Sequence, residues 1–193
     1  QYKRIPNATR VYTLKDNLII YPDIGGLIIL ESDLLLEGPE IHVSIEGALP
    51  APYYTGNNFE ELTKICQNPV PWGEIEGESF VISDKSERIC ALTKDQLNKL
   101  IEYYDRLGKD HMILAGYDNS AEIHTPINQL KDRYVHDIQI SYGYGHGGFP
   151  IMTMWPLVVD LNSMDKWANG HELGHNFQIS NFQQGFFVHR AAL

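Results

Sequence analysis

The chain has 193 residues, 43% of them hydrophobic and 21% charged, and carries a formal net charge of −10. These values suit one large or two small soluble domains with a real core, and the acidic balance excludes a nucleic-acid backbone as main partner, which needs a concentrated basic face. No run reads as a membrane span, because the most apolar stretch, LIIYPDIGGLIIL, is broken by Pro22, Asp23 and two glycines.

Position 1 is Gln, so the chain is expected to be a fragment of a longer protein. One glycosylation sequon, Asn7-Ala8-Thr9, does not fix the compartment. From residue 10 to 47 the runs RVYTL, LIIY, LIILES and IHVSIEG predict strands, separated by turn-forming KDN, PDIGG and LEGPE. His42 reads as a solvent-facing strand residue. PAPYYTG is a loop. NNFEELTKICQN predicts a short helix, capped by Asn57 or Asn58, with Glu60 and Glu61 at the positive end of its dipole. NPVPWGE reads as a connection and ESFVIS as a strand. The only cysteines, Cys66 and Cys90, are expected as two free thiols in a reducing compartment, with a single disulfide as the alternative.

TKDQLNKLIEYYDRLGKD gives the clearest helical signal. Thr93 and Gln96 form a capping box, Leu97, Leu100, Ile101, Tyr104 and Leu107 repeat at helical spacing, and Gly108 is placed to end the helix. RYVHDIQIS alternates as a strand. SYGYGHGGFPIM does not fit a phosphate-binding loop, because no Lys-Ser/Thr follows; it reads as a loop or edge strand lining a cleft, where glycine allows close backbone approach. The segment from Lys166 to about Phe177 predicts a second helix, so the whole is α+β with two lobes around one cleft.

That second helix carries NGHELGHNFQ. Residues i and i+4 of a helix share a face, so His171 and His175 can direct two imidazoles at one metal ion. Glu172, offset by one residue, lies beside such an ion, where a carboxylate can serve as general base toward water. Gly174 costs roughly 1 kcal/mol in mid-helix against Ala, which suggests a close neighbour. A catalytic zinc site takes three protein ligands. The position six residues after His175 is Asn181, not His, and no Asp or Glu follows His175; His189 is the one conventional ligand type in the tail. His111, His124, His136 and His146 lie upstream, and His146 is a candidate to face the cleft and polarise a carbonyl.

HELGHN, preceded by DIQIS and GYGHGGFPIM, resembles the enhancin-like, mucin-degrading zinc metallopeptidases of peptidase family M-sixty. Taken in order, RVYTL, IYPDIGGLI, VSIEGALPAPYYTG and PWGEIEGESFVI bring it nearest to the vertebrate branch of TRP-channel-associated factors, over about residues 9–178. The resemblance implies a β-rich N-terminal lobe (1–56) and a gluzincin-like metallopeptidase lobe (57–193). It implies Zn2+ on His171 and His175 with Glu172 as the catalytic base, acting on peptide or glycoprotein substrates. The channel-associated branch implies instead a non-catalytic regulator that binds a TRP-type ion channel, cytoplasmic and peripheral at the plasma membrane, with secretion as the alternative location. Family members continue past the motif with a Trp-containing stretch and a glutamate that is the third ligand; FQISNFQQGFFVHRAAL has neither. The lobe is therefore expected to be incomplete at its C-terminus, leaving Phe177, Phe182, Phe186 and Phe187 with little to bury against.

Overall fold

The computed structural model describes residues 11–21, 26–30, 42–116, 131–137, 139–140 and 143–177. Its elements follow the order β1 (Tyr53–Tyr54), α1 (Phe59–Ile65), β2 (Trp72–Glu76), β3 (Phe80–Lys85), α2 (Ser86–Ala91), α3 (Lys94–Leu114), β4 (Asp132–His136), β5 (Gly145–His146), β6 (Ile151–Thr153) and α4 (Lys166–Asn176). The six strands form one mixed sheet in the order β1-β2-β3-β4-β6-β5. β3, β4 and β6 run parallel, β2 is antiparallel to β3, and β5 is an antiparallel edge strand on β6.

The register explains where the core sits. Ile75, Ile82, Tyr134 and Ile151 are paired in one row across β2, β3, β4 and β6, and each is essentially inaccessible. Directly paired residues point to the same side of a sheet. This row therefore presents a continuous apolar face, which joins Phe80 and the helix residues Ile89, Leu97, Leu100, Tyr104 and Leu173 in one cluster. In the neighbouring row the paired Glu74 and Ser83 are polar, and Arg133 of β4 bonds to both.

Several sequence expectations change. The runs from 11 to 47 form no strand among their described residues, and Val11, Ile19 and Tyr21 are exposed. Their alternation is real, but a strand needs a hydrogen-bonded partner, and none pairs with them among the described residues. Trp72–Glu74, expected as the end of a connection, form the start of β2 (Trp72–Glu76), because Gly73 and Ile75 alternate inward and Pro69 and Pro71 precede the ladder. α2 was not foreseen. Asn58 holds the N-cap position of α1 without capping it; its side chain bonds to Thr55 N–H and Tyr53 O instead. The Thr93–Gln96 capping box is present, but α3 runs straight through Gly108. A Cβ there would lie 2.6 Å from Ser79 Oγ, so that glycine serves close packing rather than termination.

Cys66 and Cys90 form a disulfide between the C-cap of α1 and the end of α2, where two free thiols were expected. The spacing of 24 residues did not reveal the pairing; the fold creates it by setting α1 beside α2.

Asp84 connects this scaffold to the segment leading into α4. Its buried carboxylate accepts the N–H groups of Leu157 and Val158 on one oxygen, and Lys85 N–H and the Arg88 guanidinium on the other. Asp84→Ala strands four donors, and urea unfolding is expected to show a loss of about 3 kcal/mol. Serine at Cys66 or Cys90 should also lower stability by about 3 kcal/mol, the loop-closure entropy of a chain segment of this size. Peptide mapping without reductant should recover the two cysteines linked.

Candidate metal centre

Helix α4 begins where the Asp165 side chain accepts Ala168 N–H at 3.0 Å. Its Gly170 lies against Leu107 of α3, where a Cβ would stand 3.4 Å from the leucine methyl, so the helices meet closely. Helical spacing then sorts the side chains into two stripes. Trp167, His171 and His175 follow one another at i, i+4 and i+8, while Asn169, Glu172 and Asn176 follow at i, i+3 and i+7.

The first stripe carries the donors. His171 and His175 bring their Nε2 atoms to 3.1 Å, and these two residues with Glu172 offer ligand atoms all within 4.8 Å of one another. Two imidazoles bound tetrahedrally at about 2.0–2.1 Å to one zinc ion set their nitrogens about 3.3 Å apart, so the pair fits that ion. The indole of Trp167 stacks on the His171 ring, with centroids 4.7 Å apart and planes at 23°. His171 and Glu172 are buried, and His175 is half-buried.

Burial pushes the Glu172 carboxyl above its ordinary range; the nearby His175 and His146 and a hydrogen bond from the Gly147 backbone oppose that rise. A carboxyl raised this way is a stronger base than a free one.

The second stripe holds the helix in place. Asn169, fully buried, accepts from Trp155 Nε1 at 2.8 Å and donates to the Tyr104 hydroxyl at 3.0 Å. Asn176 accepts Gly148 N–H at 2.6 Å and donates to Gly148 O and to Asp132 Oδ1. Burial raises the Asp132 carboxyl, and the Asn176 hydrogen bond and His111 partly counter it.

The glycine-rich run lies directly on this helix. It forms the edge strand β5 and the turn beyond it, one of the two forms the sequence allowed. A Cβ on Gly145 would lie 2.4 Å from the Trp155 ring and 2.8 Å from Glu172 Oε1. One on Gly147 would lie 2.5 Å from His175 Cβ and 2.9 Å from the Glu172 carbonyl oxygen. No side chain fits between strand and helix at either point.

The structure thus brings together His171, Glu172 and His175. His146 is in β5, with its Nδ1 2.9 Å from the Gly147 carbonyl oxygen, and its influence on Glu172 is electrostatic. His111 bonds to Leu107 O within α3 and meets the Phe177 ring. Phe177, expected to lack cover, packs partly buried against the core. His136 closes β4 with its Nδ1 2.8 Å from Trp155 O and is not one of the three clustered residues. His42 is exposed and outside any strand. His124, His189, Phe182, Phe186 and Phe187 lie outside the described residues. Sequence reasoning missed Asn169, Asn176, Trp155 and Trp167. The two asparagines left a signal: they bracket the motif at a spacing of seven, on the face of Glu172.

The family described as "Peptidase M60, enhancin and enhancin-like" matches residues 47–186, and the chain belongs to that family. TRPM8 channel-associated factor 2 of Homo sapiens is 37% identical over 150 residues, which are 73% of this chain and 15% of that protein. A TRPM8 channel-associated factor homolog of Danio rerio is 29% identical over 186 residues, or 91% of this chain and 19% of its own length. The chain therefore spans less than a fifth of these relatives. Among solved structures, the M60 catalytic domain of Clostridium perfringens ZmpC, in complex with the sialyl T antigen, superposes with a TM-score of 0.62 at 16% identity, over 77% of this chain and 33% of that one. A functionally unknown conserved protein of Bacillus anthracis gives 0.65 at 18% identity, over 77% and 34%. The fold is mixed α/β, like the M60 catalytic domain of ZmpC.

Gly147→Ala must push β5 away from α4, because one of its clashes is with helix backbone. The expected result is a fall of several degrees in the unfolding midpoint, about 1–3 kcal/mol, together with weaker zinc binding by competition with a chromogenic chelator.

Proposed function

We propose that this chain is the part of a zinc metallopeptidase that holds the first two metal ligands and the general base. The observation carrying this reading is the convergence of the His171, Glu172 and His175 side chains on helix α4, with their ligand atoms within 4.8 Å of one another. His171 and His175 would hold the ion, and a group outside the described residues would complete the ligand set. A zinc ion there supplies Lewis acidity, lowering the pKa of water and polarising a carbonyl. Glu172 accepts the proton from the attacking water and returns it to the leaving amine. The Gly147 backbone hydrogen bond orients its carboxylate, and burial raises its basicity. Peptide bonds of glycoproteins are the proposed substrates, in keeping with the glycan antigen held by the ZmpC domain.

A second reading is a non-catalytic regulator of a TRP-type channel, supported by the names of the relatives that match most of this chain. The readings diverge over compartment. The Cys66–Cys90 disulfide supports secretion, since such bonds persist in oxidising surroundings; the channel reading was tied to the cytoplasmic side of the plasma membrane. Among the described residues no helix is long and apolar enough to cross a membrane.

Glu172→Gln in the full-length protein is expected to abolish peptide hydrolysis while zinc remains near one ion per chain by elemental analysis. His171→Ala should remove the zinc itself. Hydrolysis that survives Glu172→Gln removes the base assignment, and channel binding lost on His171→Ala with the fold intact counts against the second reading.

A further inference from the structure

We infer that Asn176 is a positioning residue that latches the glycine-rich edge strand to the metal-ligand helix and so holds Gly147 against His175 and the Glu172 backbone. The inference rests on the proposed metallopeptidase reading for its functional meaning, but not for its geometry.

Among the described residues β5 is a short edge strand: it pairs with β6 at Gly145–Thr153 and His146–Met152, with one further bond from Met154 N–H to Tyr144 O. The turn after it, Gly147-Gly148, has no side chain to pack. Gly147 must nevertheless stay in contact with His175 and with the Glu172 backbone. The Asn176 amide supplies the missing fixation. Its oxygen accepts Gly148 N–H and its nitrogen donates to Gly148 O, so one side chain satisfies both backbone groups of one residue, as a neighbouring strand would. The same nitrogen donates to the Asp132 carboxylate at 2.9 Å, anchoring the latch to the first residue of β4.

The latch therefore sits where α4, β4 and the β5 turn meet. Because Asn176 directly follows His175, a shift of that ligand reaches the edge strand through one peptide unit. No other residue type serves as well. Asp keeps the acceptor for Gly148 N–H but loses both donated bonds and brings a second carboxylate to Asp132. Leu or Ala offers neither group, and Gln is one methylene too long for a helix and turn already in contact.

Hydrogen exchange on the full-length protein tests this, read at the Gly147 and Gly148 amides. Asn176→Ala is expected to speed their exchange about tenfold, the worth of a lost hydrogen bond or two, while β3 and α3 amides stay protected. Asn176→Asp, which keeps the acceptor but loses both donated bonds, should speed exchange at Gly147 while Gly148 stays the better protected of the two. Exchanging the partners, Asn176→Asp with Asp132→Asn, restores a donor–acceptor pair between positions 132 and 176 and should recover part of the protection. For hydrolysis, Asn176→Ala should lower kcat about tenfold with KM and zinc content near the parent values. Unchanged exchange at Gly147 and Gly148 in Asn176→Ala overturns the latch. So does loss of protection throughout the sheet in every variant with no recovery in the exchanged pair, which would make Asn176 a general stability residue. If the parent hydrolyses nothing while the exchange pattern is as expected, the latch stands and the metallopeptidase reading fails.

Discussion

The site depends on a contact that permits no side chain. Edge strand β5 and helix α4 approach until Gly145 faces Glu172 and Gly147 faces His175, and a single Cβ at either glycine would overlap its neighbour. Glycine in a strand weakens it by backbone entropy and by lost packing. Here that loss coincides with a geometric gain, since it brings a backbone N–H within reach of the Glu172 carboxylate at the helix surface. The sheet, the capping of α4 and the asparagine contacts all serve to keep that approach in place.

Buried polar groups give the approach its direction. An apolar interface slides at low cost, whereas a hydrogen bond has one geometry and leaves a penalty when it breaks. Three such groups fix α4 at successive points. Asp84 holds the Leu157–Val158 segment leading to it, Asn169 ties its middle to Tyr104 and Trp155, and Asn176 ties its end to Asp132 and Gly148. The apolar row Ile75, Ile82, Tyr134 and Ile151 supplies the burial beneath them. Burial stabilises the fold, and the polar contacts select the one position of the helix at which His171 and Glu172 reach the site.

Local rules in the sequence revealed the grouping of side chains better than the architecture. The i, i+4 histidines with the adjacent glutamate, the capping box and the closely approached glycines each obey a rule confined to a few residues, and each placement was legible. Gly108 was not, because a glycine that ends a helix and one that admits a neighbour look alike until Ser79 is known to lie against it. The disulfide was hidden for the same reason, since pairing depends on where α1 and α2 are set by the sheet. β2 was concealed by the prolines at 69 and 71, which mark a turn and say nothing about the strand starting at Trp72. The asparagines were passed over because their spacing alone does not separate an exposed helix Asn from one whose amide is hydrogen-bonded across the fold.

The two functional readings make different demands on the interior. Histidines and a carboxylate withdrawn from water are unfavourable unless something compensates them. In this chain the raised Glu172 carboxyl records that cost, and only neighbouring charge and one backbone hydrogen bond oppose it. A bound cation offsets the same cost directly, because its attraction acts on all three groups at once in a site where water screens poorly. A surface used only to dock another protein has no need of such an interior, and an apolar helix face would pack there at lower cost. The burial of His171 and Glu172 and the close approach of His175 thus fit the proposed metal reading better than a surface that only docks a partner.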